Sequence, residues 1–268
     1  MLVDLHIHTN ASDGTWDRHE LIEKLSENNI GLFSVTDHDT IENSRALIDE
    51  LEGYSLKCTI GVEISCSYQG KTYHVAAYSF DANNTSLLQL LKENRRVRDD
   101  NEARMIRLLA VDNASVDYFK YKNYQYERNR GGCKSLNFLL DLGLIKDSFE
   151  HCNLLEKLGN SRIFKNPETI ISTVKKAQGI SFMAHPNVYF QGPNLPTKQL
   201  KKWIDFGISG IECYYSRPGL VMAENYVRFC KKNNLLISGG SDCHGTFLSR
   251  KLGNPRITLD MLNMGSIF

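Results

Sequence analysis

Nearly every short apolar run in this chain that could form a strand carries histidine or a carboxylate at or near its end. "LVDLHIH" ends in His6 and His8, and "GLFSVTDHD" in Asp37, His38 and Asp39. "KCTIGVEIS" carries Glu63, and "KTYHVAAYSF" carries His74. "ISFMAHP" closes on His185, and "LLISGGSDCH" on Asp242 and His244. Between most of these runs lie segments with helical apolar spacing. In "DRHELIEKLSENNI" the residues Leu21, Ile22 and Leu25 recur at that period. "IENSRALIDELEG", "TKQLKKWIDFG" and "GLVMAENYVRFCKKNN" read the same way, as does "PETIISTVKKAQG", which opens with Pro167 where a missing N–H costs nothing. Strands separated by helices of this length predict an α/β fold with a parallel sheet or a barrel. In such folds the C-terminal ends of the strands share one face, and sites form there. Six of the eight histidines would then meet on one rim.

Residues two apart in a strand point to the same face, so His6 and His8 should project side by side, with Leu5 and Ile7 facing the other way. A lone strand histidine is ordinarily a hydrogen-bonded core residue. Six of them at strand ends, among aspartates and glutamate, are different. Without cations such groups are left unpaired or repel one another. Divalent metal ions resolve the conflict, and a nitrogen- and oxygen-rich set suits Zn, Mn or Fe(II). His19, in the first expected helix, and His151, in the middle of the chain, lie outside this pattern and read as surface or packing residues.

The alternation breaks in the middle. From "SLLQLLKENRRVRDDNEARMIRLLA" onward the sequence is mainly helical, with no clear strand until about Gly179. Residues 94–166 are therefore expected to be an inserted helical subdomain, flanked by an α/β domain over 1–93 and 167–268. The first part of the insertion is basic: ten Lys and Arg face six Asp and Glu between Asn94 and Ser135. The whole chain has a net charge of only +1, so any polyanion must be bound locally. Seven cysteines without a C-x-x-C pair give neither a disulfide framework nor a zinc knuckle, and free thiols fit a reducing cytoplasm. "MLVDLHIH" has no charged stretch leading into an apolar one, so no signal peptide is expected, and no apolar run nears the ~20 residues of a membrane span.

Taken together, "DLHIHTNASDGT", "TDHDT", "GVEIS", "YHVAAY", "FMAHP" and "GGSDCHG" resemble the PHP family, the polymerase and histidinol phosphatase phosphoesterases related to amidohydrolases. The resemblance spans residues 1–92 and 167–244 and implies a distorted (β/α)7 barrel with two or three divalent metal ions (Mn, Fe or Zn). Carried over position by position, His6, His8, Glu63 and Asp242 would hold the first metal. Glu63 would bridge to a second, completed by His74 and His185. Asp13, His38 and His244 would hold the third. Asp4, Asp37 and Asp39 would stand behind the ligands and orient imidazoles through their other nitrogen, with Asp39 as a direct ligand the main alternative.

The reaction so implied is hydrolysis of a phosphate monoester by metal-bound hydroxide, with Glu63, His185 and Asp242 carrying the catalytic work. The insertion resembles that of the stand-alone branch acting on nucleotide phosphates. This implies a 3′,5′-bisphosphate, a 5′-monophosphate or the 5′ end of a short oligonucleotide as substrate, and no obligate protein partner. Histidinol phosphate is the alternative substrate, and a non-catalytic module binding nucleic acid or a polymerase the second alternative. Substrate contacts are expected from Arg128, Arg130 and Lys134 in "ERNRGGCKS", where related proteins tend to have Gly-Arg-Pro-His, and from Arg217. Tyr214 and Tyr215 would stack on a base or pack, and Cys213 and Cys243, flanking the rim, would be packing thiols, with an influence on metal choice the alternative.

Overall fold

The computed structural model describes residues 1–51, 55–159, 163–190, 192, 194–216 and 220–265. The chain opens with β1 (Leu2–Ile7), α1 (Arg18–Glu27), β2 (Ile30–Val35), α2 (Glu42–Glu50), β3 (Lys57–Cys58), β4 (Gly61–Tyr68) and β5 (Lys71–Tyr78). A helical stretch follows: α3 (Thr85–Asp112), α4 (Tyr118–Asn123), a 3-10 turn (Arg128–Arg130), α5 (Lys134–Asp141), and α6 (Ser148–Leu154) running into a π turn. Alternation then resumes with α7 (Pro167–Lys176), β6 (Ile180–Met183), α8 (Pro186–Tyr189), α9 (Thr197–Asp205), β7 (Gly210–Tyr214), α10 (Leu220–Lys232), β8 (Leu236–Gly239) and β9 (Ile257–Thr258).

Helix starts follow their capping residues. Asp17 accepts from the peptide N–H of Glu20, Asn84 from that of Leu87, and Asn166 from that of Thr169. Each satisfies a donor the first helical turn leaves without a partner. Buried Leu21 and Leu25 on α1 pack with Phe33, Val35 and Leu47 on one side of the first sheet. The largest core lies between the second sheet and its helices and includes Trp203, Tyr226, Ile170 and Leu87. A third cluster, with Leu5, Tyr78 and Phe182, draws residues from both sheets.

The strands form two open sheets, ordered β3-β2-β1-β9 and β4-β5-β6-β7-β8, and not one closed barrel ladder. The expected parallel alternation also fails at β9, which pairs antiparallel with β1, and on both sides of β5. β4 and β5 form an antiparallel hairpin because only Gln69 and Gly70 separate them, and β5 also pairs antiparallel with β6. A parallel return would need a crossover of a dozen residues or more. Single bridges, Ile7 to Cys243 and His38 to Glu63, join the two sheets at their ends.

These junctions position the site. The peptide N–H of Asp242 donates to His6 O at 2.8 Å, and that of His8 to Cys243 O at 2.8 Å. Gly240 lets the strands approach this closely: a Cβ there would stand 2.3 Å from the His6 nitrogen. On the other side Asp39 N–H donates to Glu63 O at 2.9 Å. A register shift between Asp4 and Ile7 breaks the simple alternation in β1. Leu5 and Ile7, expected on one face, consequently pack in different clusters.

The boundary expected at 93/94 falls inside α3, which runs unbroken from Thr85 to Asp112. Its first half packs on the second sheet through Leu87, Leu90 and Leu91. Its second half joins a separate core with Tyr121, Phe138 and Leu139. Among the described residues no helix is long and apolar enough to cross a membrane.

Candidate metal centre

Glu63 is the hub of the rim. Its Oε1 lies 2.6 Å from His185 Nε2 and 3.3 Å from His74 Nδ1. Its Oε2 lies 3.1 Å from His38 Nδ1, 3.3 Å from His8 Nε2 and 3.4 Å from His6 Nε2. Asp242 Oδ1 stands 3.3 Å from His8 Nε2 and 3.6 Å from both His6 Nε2 and His244 Nδ1. Asp13 reaches His8 Nδ1 at 3.3 Å, His244 Nε2 at 3.4 Å and His38 Nε2 at 3.7 Å. The nine ligand candidates read from the sequence are thus gathered in one cluster.

Four overlapping groups in it have ligand atoms close enough to share an ion: His8–Asp13–His38–His244, His6–His8–Glu63, His6–His185–Asp242 and His38–Glu63–His74. The division differs from the expected one in that His8 also joins the Asp13 group and His185 sits with His6 and Asp242. Nδ1 of His8, His38, His74 and His185 and Oε2 of Glu63 are buried with no hydrogen-bond partner. Burying such atoms unpaired is costly. Divalent cations would satisfy them, and the nitrogen and oxygen donor set fits borderline ions.

Charge compensation is visible in the acid–base behaviour. Burial works against ionising Glu63, yet His74, His38, His6 and His185 hold its carboxyl well below the usual range. Asp242 and Asp13 are likewise lowered against burial by neighbouring imidazoles. Burial opposes charging His6, but Glu212, Glu63 and Asp242 raise it well above the ordinary imidazole value. For His38 burial wins, and its imidazole is pushed well down. Three rim residues sit at positive φ: Asp39 at 53°, His185 at 29° and Asp242 at 55°. Such backbone costs of order 1–3 kcal/mol each and persists only where the surroundings over-determine it.

The three aspartates expected behind the ligands accept from backbone, hydroxyl, amide and guanidinium donors instead of imidazoles. Asp4 accepts from the peptide N–H groups of His6, Ser241 and Gly253. Asp37 accepts from Thr9 N–H at 2.7 Å and from the hydroxyls of Thr9 and Ser12, ordering the turn after β1. Asp39 is taken up by Ser65, Asn94 and Arg98 and lies outside the four ligand groups. The physical reason is common to all three: short acidic side chains beside turns and strand junctions meet unpaired N–H donors first.

Two groups that do brace the ligands were not read from the sequence. Fully buried Glu212 on β7 meets His6 Nδ1 at 2.8 Å and accepts from the His185 peptide N–H at 2.6 Å. Its signal was an acid inside the apolar run "GIECYY", a place where a carboxylate needs partners. Arg250 donates to Asp242 Oδ2, leaving Oδ1 to the imidazoles. No local pattern marks it.

A cavity of about 400 Å³ opens beside Asp13 and His38. Its cations come chiefly from α3: Lys92, Arg95, Arg96 and Arg98 line it, together with Lys134 and Tyr126. Of the expected substrate contacts, Arg130 turns to Asp141, with Nη2 to Oδ1 at 2.7 Å, and does not line the cavity. Exposed Arg128 does not line it either. Lys134 does, but its ammonium group donates to Lys122 O at 2.9 Å and sits over the Tyr121 ring. Arg217 lies outside the described residues. His19 is exposed, and His151 is buried with Nε2 2.7 Å from Ser135 Oγ. Cys213 lies 3.6 Å from Cys230 in the large core, and burial pushes the Cys243 thiol up to about 12. Tyr215 accepts from the Asn187 N–H, and Tyr214 packs against the large core.

Residues 4–139 match the PHP domain. Among curated proteins, the chain is 26% identical over 256 residues to a 5′-3′ exoribonuclease of Haemophilus influenzae, covering 90% of this chain and 89% of the relative. It is 24% identical over 249 residues to a 3′,5′-nucleoside bisphosphate phosphatase of Chromobacterium violaceum, covering 90% and 87%. Among solved structures, a protein of Bifidobacterium adolescentis assigned as a metal-dependent phosphoesterase superposes with a TM-score of 0.79 at 23% identity, over 96% of this chain and 93% of that one. An amidohydrolase of Chromobacterium violaceum with bound sulfate and no metal gives 0.77 at 23%, over 91% and 88%.

Proposed function

The chain belongs to the PHP domain family and is a metal-dependent phosphoesterase, and from that premise we propose that it hydrolyses a nucleotide carrying phosphate on both sides of its sugar. The substrate is a 3′,5′-bisphosphate or the 5′-terminal nucleotide of a short RNA. The observation that carries this reading is the basic cavity beside Asp13 and His38. One phosphate occupies the metal cluster and the other the cavity, where Arg95 and Arg96 meet it. The names of the two relatives fit the same chemistry, since both substrate classes share such a nucleotide.

In this reading the two sheets are the halves of a distorted (β/α)7 barrel, and the helical stretch caps its mouth. His6, His8, Glu63 and Asp242 would hold one divalent ion, Glu63 with His74 and His185 a second, and Asp13, His38 and His244 a third. Bound ions of this kind lower the pKa of water toward neutrality and neutralise phosphoryl oxygens. Glu63 supplies both of its oxygens to neighbouring ligand groups and so fixes their spacing. Asp242, held by Arg250, presents a single oxygen. Arg98, tied to Asp39 at 2.9 Å and to Ser65 Oγ at 3.0 Å, keeps a fixed positive charge at the cavity wall.

The test is a panel assay with Mn(II). A 3′,5′-bisphosphate and a 5′-phosphorylated short RNA are expected to turn over faster than a 5′-monophosphate, which has one phosphate for two places. Turnover of histidinol phosphate with none of the nucleotides would overturn the reading.

A further inference from the structure

Glu212 is not among the candidate ligands, yet its two oxygens reach two of them. Oε1 faces His6 Nδ1 at 2.8 Å, and Oε2 accepts from the His185 peptide N–H at 2.6 Å. Both side chains of the first pair are fully buried. On its other edge the His6 ring turns Nε2 toward Glu63 and Asp242. His185 has φ 29° and ψ 60°, a backbone that needs external support. His6, His185 and Asp242 together form one of the four ligand groups.

We propose that Glu212 is the positioning residue for His6 and His185. It fixes His6 as the tautomer protonated at Nδ1, with Nε2 free for a divalent metal ion, and it holds the backbone turn that aims His185. The proposal rests on the reading that His6 and His185 bind metal. A carboxylate is needed because both neighbours are donors: an ionised carboxylate accepts at both oxygens. Glutamine has the same shape but one oxygen and one NH2 group. In Glu212→Gln either the His185 N–H loses its acceptor, or the NH2 faces His6 Nδ1. In the second case the imidazole proton moves to Nε2 and blocks that ligand position. Partners of this kind typically contribute 10–100-fold in metal affinity.

The experiment uses the full chain with Zn(II), which is diamagnetic. Metal content and affinity are measured by elemental analysis and competition titration, and imidazole tautomers by ¹⁵N NMR. In the wild-type protein His6 is expected to carry its proton on Nδ1. Glu212→Gln is expected to lose at least about tenfold in affinity for one equivalent of Zn(II), while Glu212→Asp, which keeps two acceptor oxygens, recovers part of it. Wild-type affinity in Glu212→Gln, or a His6 proton on Nε2 in the Zn-loaded wild type, overturns the role of Glu212 while leaving the metal reading intact. Absence of metal binding by the wild type overturns both. If Glu212→Gln does not fold, the wild-type tautomer decides.

Discussion

The peptide N–H of Gly132 donates to the carbonyl oxygen of Asp13 at 2.8 Å. A segment expected to serve only substrate recognition thereby holds the turn that presents Asp13 to His8, His38 and His244. Phe247, three residues beyond His244, packs in the same helical core as Leu136 and lies against Gly131 and Gly132. The helical stretch is tied to the loops that carry Asp13 and His244 at two points.

Gly132 has φ 68°, and a Cβ there would meet Leu136 Cδ2 at 2.4 Å and Phe247 Cζ at 3.0 Å. Gly132→Ala therefore combines backbone strain with overpacking and should cost about 1–3 kcal/mol, read by denaturant unfolding. It should also lower metal content, through displaced Asp13. Unchanged stability and metal content would show that the junction gives way freely.

Glu63→Gln keeps the volume of the hub and removes its charge. Activity should fall by at least about 100-fold, and the bound metal measured by elemental analysis should drop, since even outer partners of ligands are worth 10–100-fold. Circular dichroism should stay native. Retained activity at normal metal content would remove Glu63 from its bridging role.

Arg95 and Arg96 form no ion pair among the described residues and line the cavity. Charge-assisted hydrogen bonds to phosphate are worth about 1.5–3 kcal/mol, or roughly tenfold or more each. Arg95→Ala and Arg96→Ala should raise KM for a 3′,5′-bisphosphate by about tenfold and leave KM for a simple aryl phosphate nearly unchanged. Equal effects on the two substrates would argue that these cations do not read the second phosphate.

Arg130 is predicted to behave differently from the sequence expectation. Hydrogen bonds from Arg130 and Tyr124 lower the Asp141 carboxyl to about 2. A carboxyl depressed on folding contributes stability above its unfolded value near 3.9, and that contribution is lost as pH falls toward 2. The pair is exposed, so the contribution is at most about 1 kcal/mol. In Arg130→Ala, NMR titration should find Asp141 back near the ordinary carboxylate range, with KM for the nucleotide unchanged. A raised KM would restore Arg130 to the substrate site.

Much of the site was legible in the sequence because metal-binding chemistry uses few residue types, and strand ends reveal where they gather. His6, His8 and His38 needed only strand periodicity and position to be nominated. The roles of Asp4, Asp37 and Asp39 were not legible. An aspartate beside a histidine in sequence need not face its ring, and here backbone donors take each of the three. The basic stretch was visible as composition, but which of its cations share a wall depends on the angle at which α3 crosses the rim. Arg130 and Arg95 look equivalent in the sequence; only the first finds Asp141.

The sequence by itself determined the alternating strands and helices, the nine candidate ligands and the family to which they belong. It could do so because periodicity and side-chain chemistry are local properties. The tertiary structure decided that the strands form two open sheets joined by single bridges, and that Glu212 and Arg250 brace His6 and Asp242. It also turned α3 toward the cavity and Arg130 away from it. These depend on pairings between residues as far apart as Asp4 and Gly253. Each is set by which buried donor meets which acceptor once the chain has closed, and nothing near either residue in the sequence encodes that choice.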